Sequence, residues 1–427
     1  MGQRIRESGP SVERLQQCGG RPFSTVNIHR LGVALAVLLL TLAGVAARAA
    51  DYPVGTRSSM WRDPYMIGSF RHWADIFPVR IVPRSGPVSP LPHAADAAAP
   101  AEARLDGTTF PIEDYFARAR TTGIVVLKDG QIVYERYMQG ADERSQFASM
   151  SISKSIVSTL LGFAIADGLV SGVDRPVTDY LPELKGSGYD GVPIKAILQM
   201  SSGVDFREEY GSQSDFLDMW EEVVHYQKVP LAAYVKRARR GEAPYARFNY
   251  ASIDTAVIGL LVSRVTGKTL SDYLAEKLWG PLGMEADASW AIDDRRAAAS
   301  EVSFCCFNAT LRDYARFGLF MARKGLWQGQ QLLPAAWIDE ATRPDRPQVA
   351  PGRLYADYAL GYQYQWWAFP GPEGAFTAQG VHGQFLYVNP ATHIVIAMMA
   401  AWPDFWDDAL EMQTYAVFDA FAAAAAH

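Results

Sequence analysis

The stretch "FASMSISKSIVSTLLGFAIADGLV", residues 147–170, sets a serine three places before a lysine and runs straight on into apolar residues. From Ile156 to Leu169 the apolar positions recur at helical spacing, and Gly168 closes the run. That pattern predicts a helix starting at Ser151 or just before it. Ser151 and Lys154 then share a face, about one turn apart. A capping serine beside a solvated lysine would be the ordinary reading. Lys154, however, opens a helix that is otherwise apolar, and burial would draw an ammonium pKa toward neutrality, where the amine serves as a base. A serine hydroxyl is a weak nucleophile without such a base. At a helix start, free N–H groups and the positive end of the dipole also favour a developing oxyanion. This is the only Ser-x-x-Lys in the chain, and alone it decides nothing.

Two further stretches extend the constellation. In "GEAPYARFNYASIDTAVIGLL" (241–261), Tyr250-Ala251-Ser252 stands between a Pro-containing turn and an apolar helix. A tyrosine there can relay protons with Lys154, and Ser252 can bond to substrate or to the lysine. Tyr-x-Ser recurs at Tyr210-Gly211-Ser212, but in a polar loop, so context favours Tyr250. A core tyrosine is the plain alternative. In "TAQGVHGQFLYV" (377–388), Gly380 would let a strand edge approach a substrate carbonyl, with the N–H of Val381 joining that of Ser151 as an oxyanion donor. A glycine bulge would look the same. His382 tempts a Ser-His triad, but no Gly-x-Ser-x-Gly elbow exists in the chain.

The surrounding chain frames these pieces. Its 427 residues are 49% hydrophobic and 20% charged, which fits a folded protein of one large or two modest domains. A formal charge of −6 and no basic run argue against a nucleic-acid partner. The seven histidines include no His-x-His or His-Glu-x-x-His, so no metal site is expected, and the serine–lysine chemistry above calls for no organic cofactor. "GIVVLKDGQIVYERYM" (123–138) reads as a hairpin about Asp129-Gly130, and "GAFTAQGVHGQFLYVNPATHIVIAMMA" (374–400) as three strands. Between them lie helical runs such as "IDTAVIGLLVSRVTG" (253–267) and "LRDYARFGLFMARKG" (311–325). Strands from both ends with helices inserted imply one antiparallel sheet plus a helical lobe, with a cleft between them.

At the N-terminus, basic residues precede an uncharged run from Leu31 to Ala47 and an Ala47-Arg48-Ala49 site. That is a secretory signal pattern, with cleavage expected after Ala49 and a periplasmic or secreted product that keeps no stable membrane insertion. An uncleaved anchor is the alternative. Residues 1–49 carry six Arg and two Glu, a net +4 whose removal leaves −10. Residues 50–107 read as an extension and an Ala/Pro-rich linker, "HAADAAAPAEARLDG" (93–107), before a main domain over 108–427. Cys305 and Cys306, too few for a disulfide framework, read as buried free thiols.

The ordered set of Ser-x-x-Lys, "RFNYAS" and a Gly-containing late strand resembles the class C β-lactamase-related serine hydrolases. That group takes in penicillin-recognising peptidases, carboxylesterases and 6-aminohexanoate-dimer hydrolases. The likeness spans about 108–420, with "DRPVTDYLPEL" (174–184), "VPIKAILQMSSGVDF" (192–206), "KLWGPLGMEADASW" (277–290) and "QLLPAAWI" (331–338) in support. It implies an α/β fold: a central antiparallel sheet flanked by helices, with an all-helical lobe. It also implies Ser151 as the acylated nucleophile, Lys154 and Tyr250 as the general-base pair, and Ser252 in the place of the usual Asn or Ser. "QGVHGQFLYV" looks most like the amide-hydrolase branch, where a tyrosine in the position of Tyr210 touches substrate. Where lactamases carry Lys-Thr-Gly, this chain has Ala378-Gln379-Gly380, so the cation that pairs with a β-lactam carboxylate is missing. The expected activity is hydrolysis of a small ester or amide. A D-Ala peptidase or β-lactamase, and a sensor without turnover, are the rivals. The sequence says nothing about oligomeric state.

Overall fold

The computed structural model describes residues 52–94, 99–296 and 298–425. The signal-sequence reading of 1–49 lies outside them. Among the described residues no helix is long and apolar enough to cross a membrane.

The hairpin about Asp129-Gly130 forms β1 (Thr121–Lys128) and β2 (Gln131–Tyr137). Both turn residues take positive φ, 53° and 84°, the geometry whose twist suits a two-residue connection. Late in the chain come β3 (Gly361–Gln363), β4 (Trp366–Ala368), β5 (Phe376–Gly380), β6 (Gln384–Asn389) and β7 (Ile394–Ala400). They join one antiparallel sheet in the order β3-β4-β5-β6-β7-β1-β2, so the two ends of the chain meet where β7 pairs with β1.

Every residue of β6 and β7 is buried, because both faces of the sheet are covered. Alternation sorts them. Val125, Leu127, Leu386, Val388, Val395 and Ala397 face the main core with α1 (Ile152–Ala166), α2 (Ser252–Thr266) and α3 (Leu311–Ala322). Ile124, Val126, Phe385, Tyr387, Ile394 and Ile396 face the other way, onto the helix Ile112–Arg118 and α4 (Asp408–Ala424). The packing is close enough that a Cβ on Gly318 of α3 would lie 2.5 Å from Val395 Cγ1.

A second sheet of four strands positions the site. Its order is Val79–Val82, Ala288–Ala291, Phe307–Thr310, Gln146–Ala148, and the last of these leads directly into Ser151. Met60, Phe70 and Trp73, ahead of its first strand, are buried in the main core. The expected linker contains structure of its own: Glu102–Leu105 pairs with Thr108–Pro111 about Asp106-Gly107, across the boundary drawn at 107/108. An Asp-Gly turn beside β-branched threonines was the signal, and the Ala/Pro-rich residues before it masked it.

Candidate active site

The chain reaches Ser151 through a tight turn. Met150 sits at φ 44°, in the left-handed region that a side chain rarely adopts, and α1 begins at Ile152. Several bonds hold this turn, among them Ser149 N–H to the Phe307 carbonyl (2.7 Å) and Ser153 Oγ to the carbonyls of Met150 (3.1 Å) and Ser303 (3.2 Å). Ser151 flanks the helix start without making a side-chain cap, so its hydroxyl is free for other contacts. Lys154 Nζ donates to Ser151 Oγ at 2.8 Å and to the Phe304 carbonyl at 2.8 Å. Lys154 is 2% exposed, and desolvation lowers its pKa to about 8, against an opposing pull from the Glu208 carboxylate.

Tyr250 brings its ring 5.1 Å from the Lys154 ammonium and stacks on Trp367. Desolvation, then the Glu208 charge, push its phenol well above the usual range, while polar contact with Ser151 opposes them. Ser252 does not reach the lysine. Its hydroxyl donates to Glu208 Oε1 (2.8 Å) and its N–H to Glu208 Oε2 (2.5 Å), which caps the start of α2. Tyr210 donates to the same carboxylate at 2.5 Å, and its ring packs on Phe216 and Phe405. The two Tyr-x-Ser sites thus meet through Glu208.

The edge of β5 closes the opposite side. A Cβ on Gly380 would lie 2.6 Å from the Ser149 carbonyl and 3.0 Å from Ser151 N, so only glycine allows the strand this near the nucleophile turn. Among the described residues neither the Ser151 N–H nor the Val381 N–H donates a hydrogen bond within the protein. His382 falls elsewhere than its expected place in the substrate and oxyanion set. Its ring is buried against Trp61, Phe70 and Phe405, Nδ1 bonds to the Trp402 carbonyl (2.8 Å), and desolvation lowers its pKa to about 4. A positive φ of 62° turns it away from the strand edge that carries Val381. Ala378 is buried in β5. Cys305 and Cys306 are joined to each other rather than free, in a turn where Cys306 takes φ 72°.

Two cavities open on Ser151. One, about 250 Å³, is lined by Ser151, Lys154, Trp61, Phe216, Trp220, Phe304 and Phe405, with Arg57, Ser58, Glu221 and His225 also bordering it. The other, about 450 Å³, is lined by Tyr250, Tyr355, Trp367, Gln379, Gly380 and the carboxylates Glu208, Asp357, Asp408 and Glu411. Tyr210 and Val381 border both.

A family model described as Beta-lactamase matches residues 112–418. The chain belongs to the beta-lactamase family. Within that family it is 27% identical over 370 residues to the 6-aminohexanoate-dimer hydrolase of Paenarthrobacter ureafaciens, covering 83% of this chain and 91% of that one. A solved Bacillus anthracis structure provisionally named a 6-aminohexanoate-dimer hydrolase superposes with a TM-score of 0.77 at 21% identity, over 86% of this chain and 96% of the other. EstCE1, described as a hydrolase with promiscuous acyltransferase activity, gives 0.59 at 15% identity, over 73% and 96%. These two likenesses show the shared fold, with its central antiparallel sheet and flanking helices. As a member of the beta-lactamase family the protein is a serine hydrolase, and its chemistry is amide or ester hydrolysis.

The structure adds residues that no motif flagged. Glu208 stands beside Glu209 in "REEYGS" (207–212), and nothing in the sequence separates the two. The Phe304 carbonyl carries no sequence signal at all. Trp61 was visible only as one of several aromatics in "MWRDPYMIGSFRHW" (60–73).

Proposed function

We propose that the protein hydrolyses a small amide or ester through an acyl-enzyme on Ser151. Neutral Lys154 takes the Ser151 proton as Oγ attacks the carbonyl carbon. The tetrahedral oxyanion is held by the N–H groups of Ser151 and Val381. Tyr250, too weak an acid to ionise near neutrality, stays a phenol and passes the proton on to the departing amine or alcohol. Water then attacks the ester carbonyl, gives its proton to the same relay, and releases the acid with Ser151 restored.

The observation that carries this reading is the 2.8 Å contact between Ser151 Oγ and a buried amine titrating near 8. A fluorophosphonate probe with peptide mass mapping tests it. Label on Ser151, absent from Ser151→Ala together with turnover, is the expected result; label elsewhere, or an active Ser151→Ala, refutes it. We further propose export, with the mature chain starting near Ala50. The support is the signal pattern alone, and intact mass of the extracytoplasmic protein checks it.

A further inference from the structure

The turn that carries Cys305 and Cys306 is bonded on two sides. Toward the start of α1, the Ser303 carbonyl accepts from Ser153 Oγ (3.2 Å), the Phe304 carbonyl from Lys154 Nζ (2.8 Å) and the Phe307 carbonyl from Ser149 N–H (2.7 Å). Toward the strand Ala288–Ala291, the Cys305 carbonyl accepts from Trp290 Nε1 (2.9 Å) and the Cys306 carbonyl from Ala291 N–H (3.0 Å). The link between the two sulfurs falls within this doubly bonded turn.

Adjacent half-cystines close a small ring around one peptide unit. Rotation about the Cα–C bond of Cys305 and the N–Cα bond of Cys306 is then restrained covalently. That restraint lies where the backbone needs one. Cys306 takes φ 72°, in the left-handed region that a residue with a side chain seldom occupies. With the sulfurs apart, this φ would rest on hydrogen bonds alone. The carbonyl that Lys154 uses belongs to the peptide bond entering the ring, so its aim depends on the ring directly. Cys306 is fully buried, whereas Cys305 is 8% exposed and borders the cavity that Ser151 also lines. A thiolate entering that cavity therefore meets Cys305. The exchange balances: the thiolate of a dithiol attacks Cys305 Sγ, and the S–S bond breaks with its electron pair going to Cys306 Sγ. The dithiol's second sulfur then releases Cys305, so two thiols form in the protein as the dithiol becomes a cyclic disulfide.

We propose that the Cys305–Cys306 bond is a redox-dependent positioning element for the Ser151 turn and Lys154. Closed, it fixes the carbonyls that hold them; opened by a dithiol, it slackens that turn and lowers turnover. The proposal rests on Ser151 as the reacting group. A thiol-rich compartment keeps the site slack, and an oxidising one sets it.

Two measurements test it, both with Cys18, the chain's remaining cysteine, replaced by serine. The first is steady-state hydrolysis of p-nitrophenyl acetate by the oxidised protein and by protein reduced with dithiothreitol, freed of reagent and checked by thiol titration. Reduction should lower kcat roughly 3- to 10-fold, the worth of one hydrogen bond to the lysine, with a smaller change in KM. Air reoxidation should restore kcat. A disulfide that only stapled the fold would change the melting temperature and leave kcat of the folded enzyme as it was. Cys306→Gly covers the case of a reduced chain that unfolds, because glycine takes φ 72° freely. It should show the lowered kcat and be indifferent to dithiothreitol. The second measurement needs no turnover. Amide exchange at Ser149, whose N–H bonds to the Phe307 carbonyl, should quicken on reduction while the amides of the seven-stranded sheet stay protected. If Ser151→Ala still hydrolyses the ester, the acyl-enzyme reading falls, yet Ser149 exchange still reports on the turn. An unchanged kcat in the reduced enzyme, a Cys306→Gly variant as active as oxidised wild type, or Ser149 exchange indifferent to reduction overturns the proposal.

Discussion

Replacing Lys154 by methionine should abolish activity and remove a burden on the fold. Lys154 titrates near 8 in the folded protein against 10.5 for a free lysine, a gap of 2.5 that corresponds to about 3 kcal/mol. The sign follows from proton counting. The folded pKa is the lower one, so between pH 8 and 10.5 the unfolded chain binds the extra proton. Stability therefore rises with pH through that window, and below 8 the fold bears the whole cost. Methionine fills similar volume without the charge, but it strands the Phe304 carbonyl, at about 1–3 kcal/mol. The net change near neutral pH should lie between roughly none and about 2 kcal/mol of added stability. Guanidinium unfolding of both proteins at several pH values is the assay. The wild-type midpoint should climb from pH 8 toward 10 relative to Lys154→Met and pass it, because the stranded Phe304 carbonyl costs the variant at every pH. In parallel, wild-type kcat/KM should rise roughly ten-fold from pH 7 to 9, as the neutral fraction grows from about a tenth to about nine tenths. A lysine at its ordinary pKa would give a rise of roughly a hundred-fold. Parallel unfolding midpoints together with a flat rate profile would refute the reasoning.

Other substitutions probe the neighbours of this lysine. Glu208→Gln removes the charge that holds the Lys154 pKa up, so the rate profile should move to lower pH. It should also cost about 1–3 kcal/mol, because one amide oxygen cannot serve Tyr210, Ser252 Oγ and Ser252 N–H together; a pH–rate series and a thermal melt check both effects. Gly380→Ala forces a methyl to within 2.6 Å of the Ser149 carbonyl, so it should lower kcat more than it raises KM and destabilise by about 1–3 kcal/mol, as steady-state kinetics and unfolding will show. A short-chain p-nitrophenyl ester should be turned over much faster than a chromogenic cephalosporin, because Ala378 is buried in β5 and offers no cation there. A preference for the cephalosporin would count against that account.

The sheet was legible where the physics is local. Asp129-Gly130 demands positive φ at both residues, and the alternating strands around it admit one partner, so the hairpin could be read directly. Ser151 and Lys154 were legible because a lysine cannot open an apolar helix unnoticed. Their partners were not. Glu208 bonds to Tyr210 and Ser252, 44 residues away in the second case, and a carboxylate among other loop carboxylates has no periodicity to betray it. His382 misled because residue type alone cannot show which way a side chain leaves a turn. The Cys305–Cys306 link was missed for the same reason: adjacent thiols bond only when a particular backbone turn brings them to one side.

The anchoring of the nucleophile turn by residues 303–307 also bears on the order of folding. Ser149, Ser153 and Lys154 each bond to a carbonyl of that segment, about 150 residues further along the chain. Contacts so distant in sequence incur their loop-closure entropy before they return anything, so they form slowly. The turn at Met150, unfavourable on its own backbone, has little reason to persist until those carbonyls arrive. Chain synthesised only as far as α2 would contain Ser151, Lys154 and Tyr250 but no assembled site. A chain that ends after α2 should therefore show no hydrolase activity, because the carbonyls that hold the serine and lysine in place are absent from it.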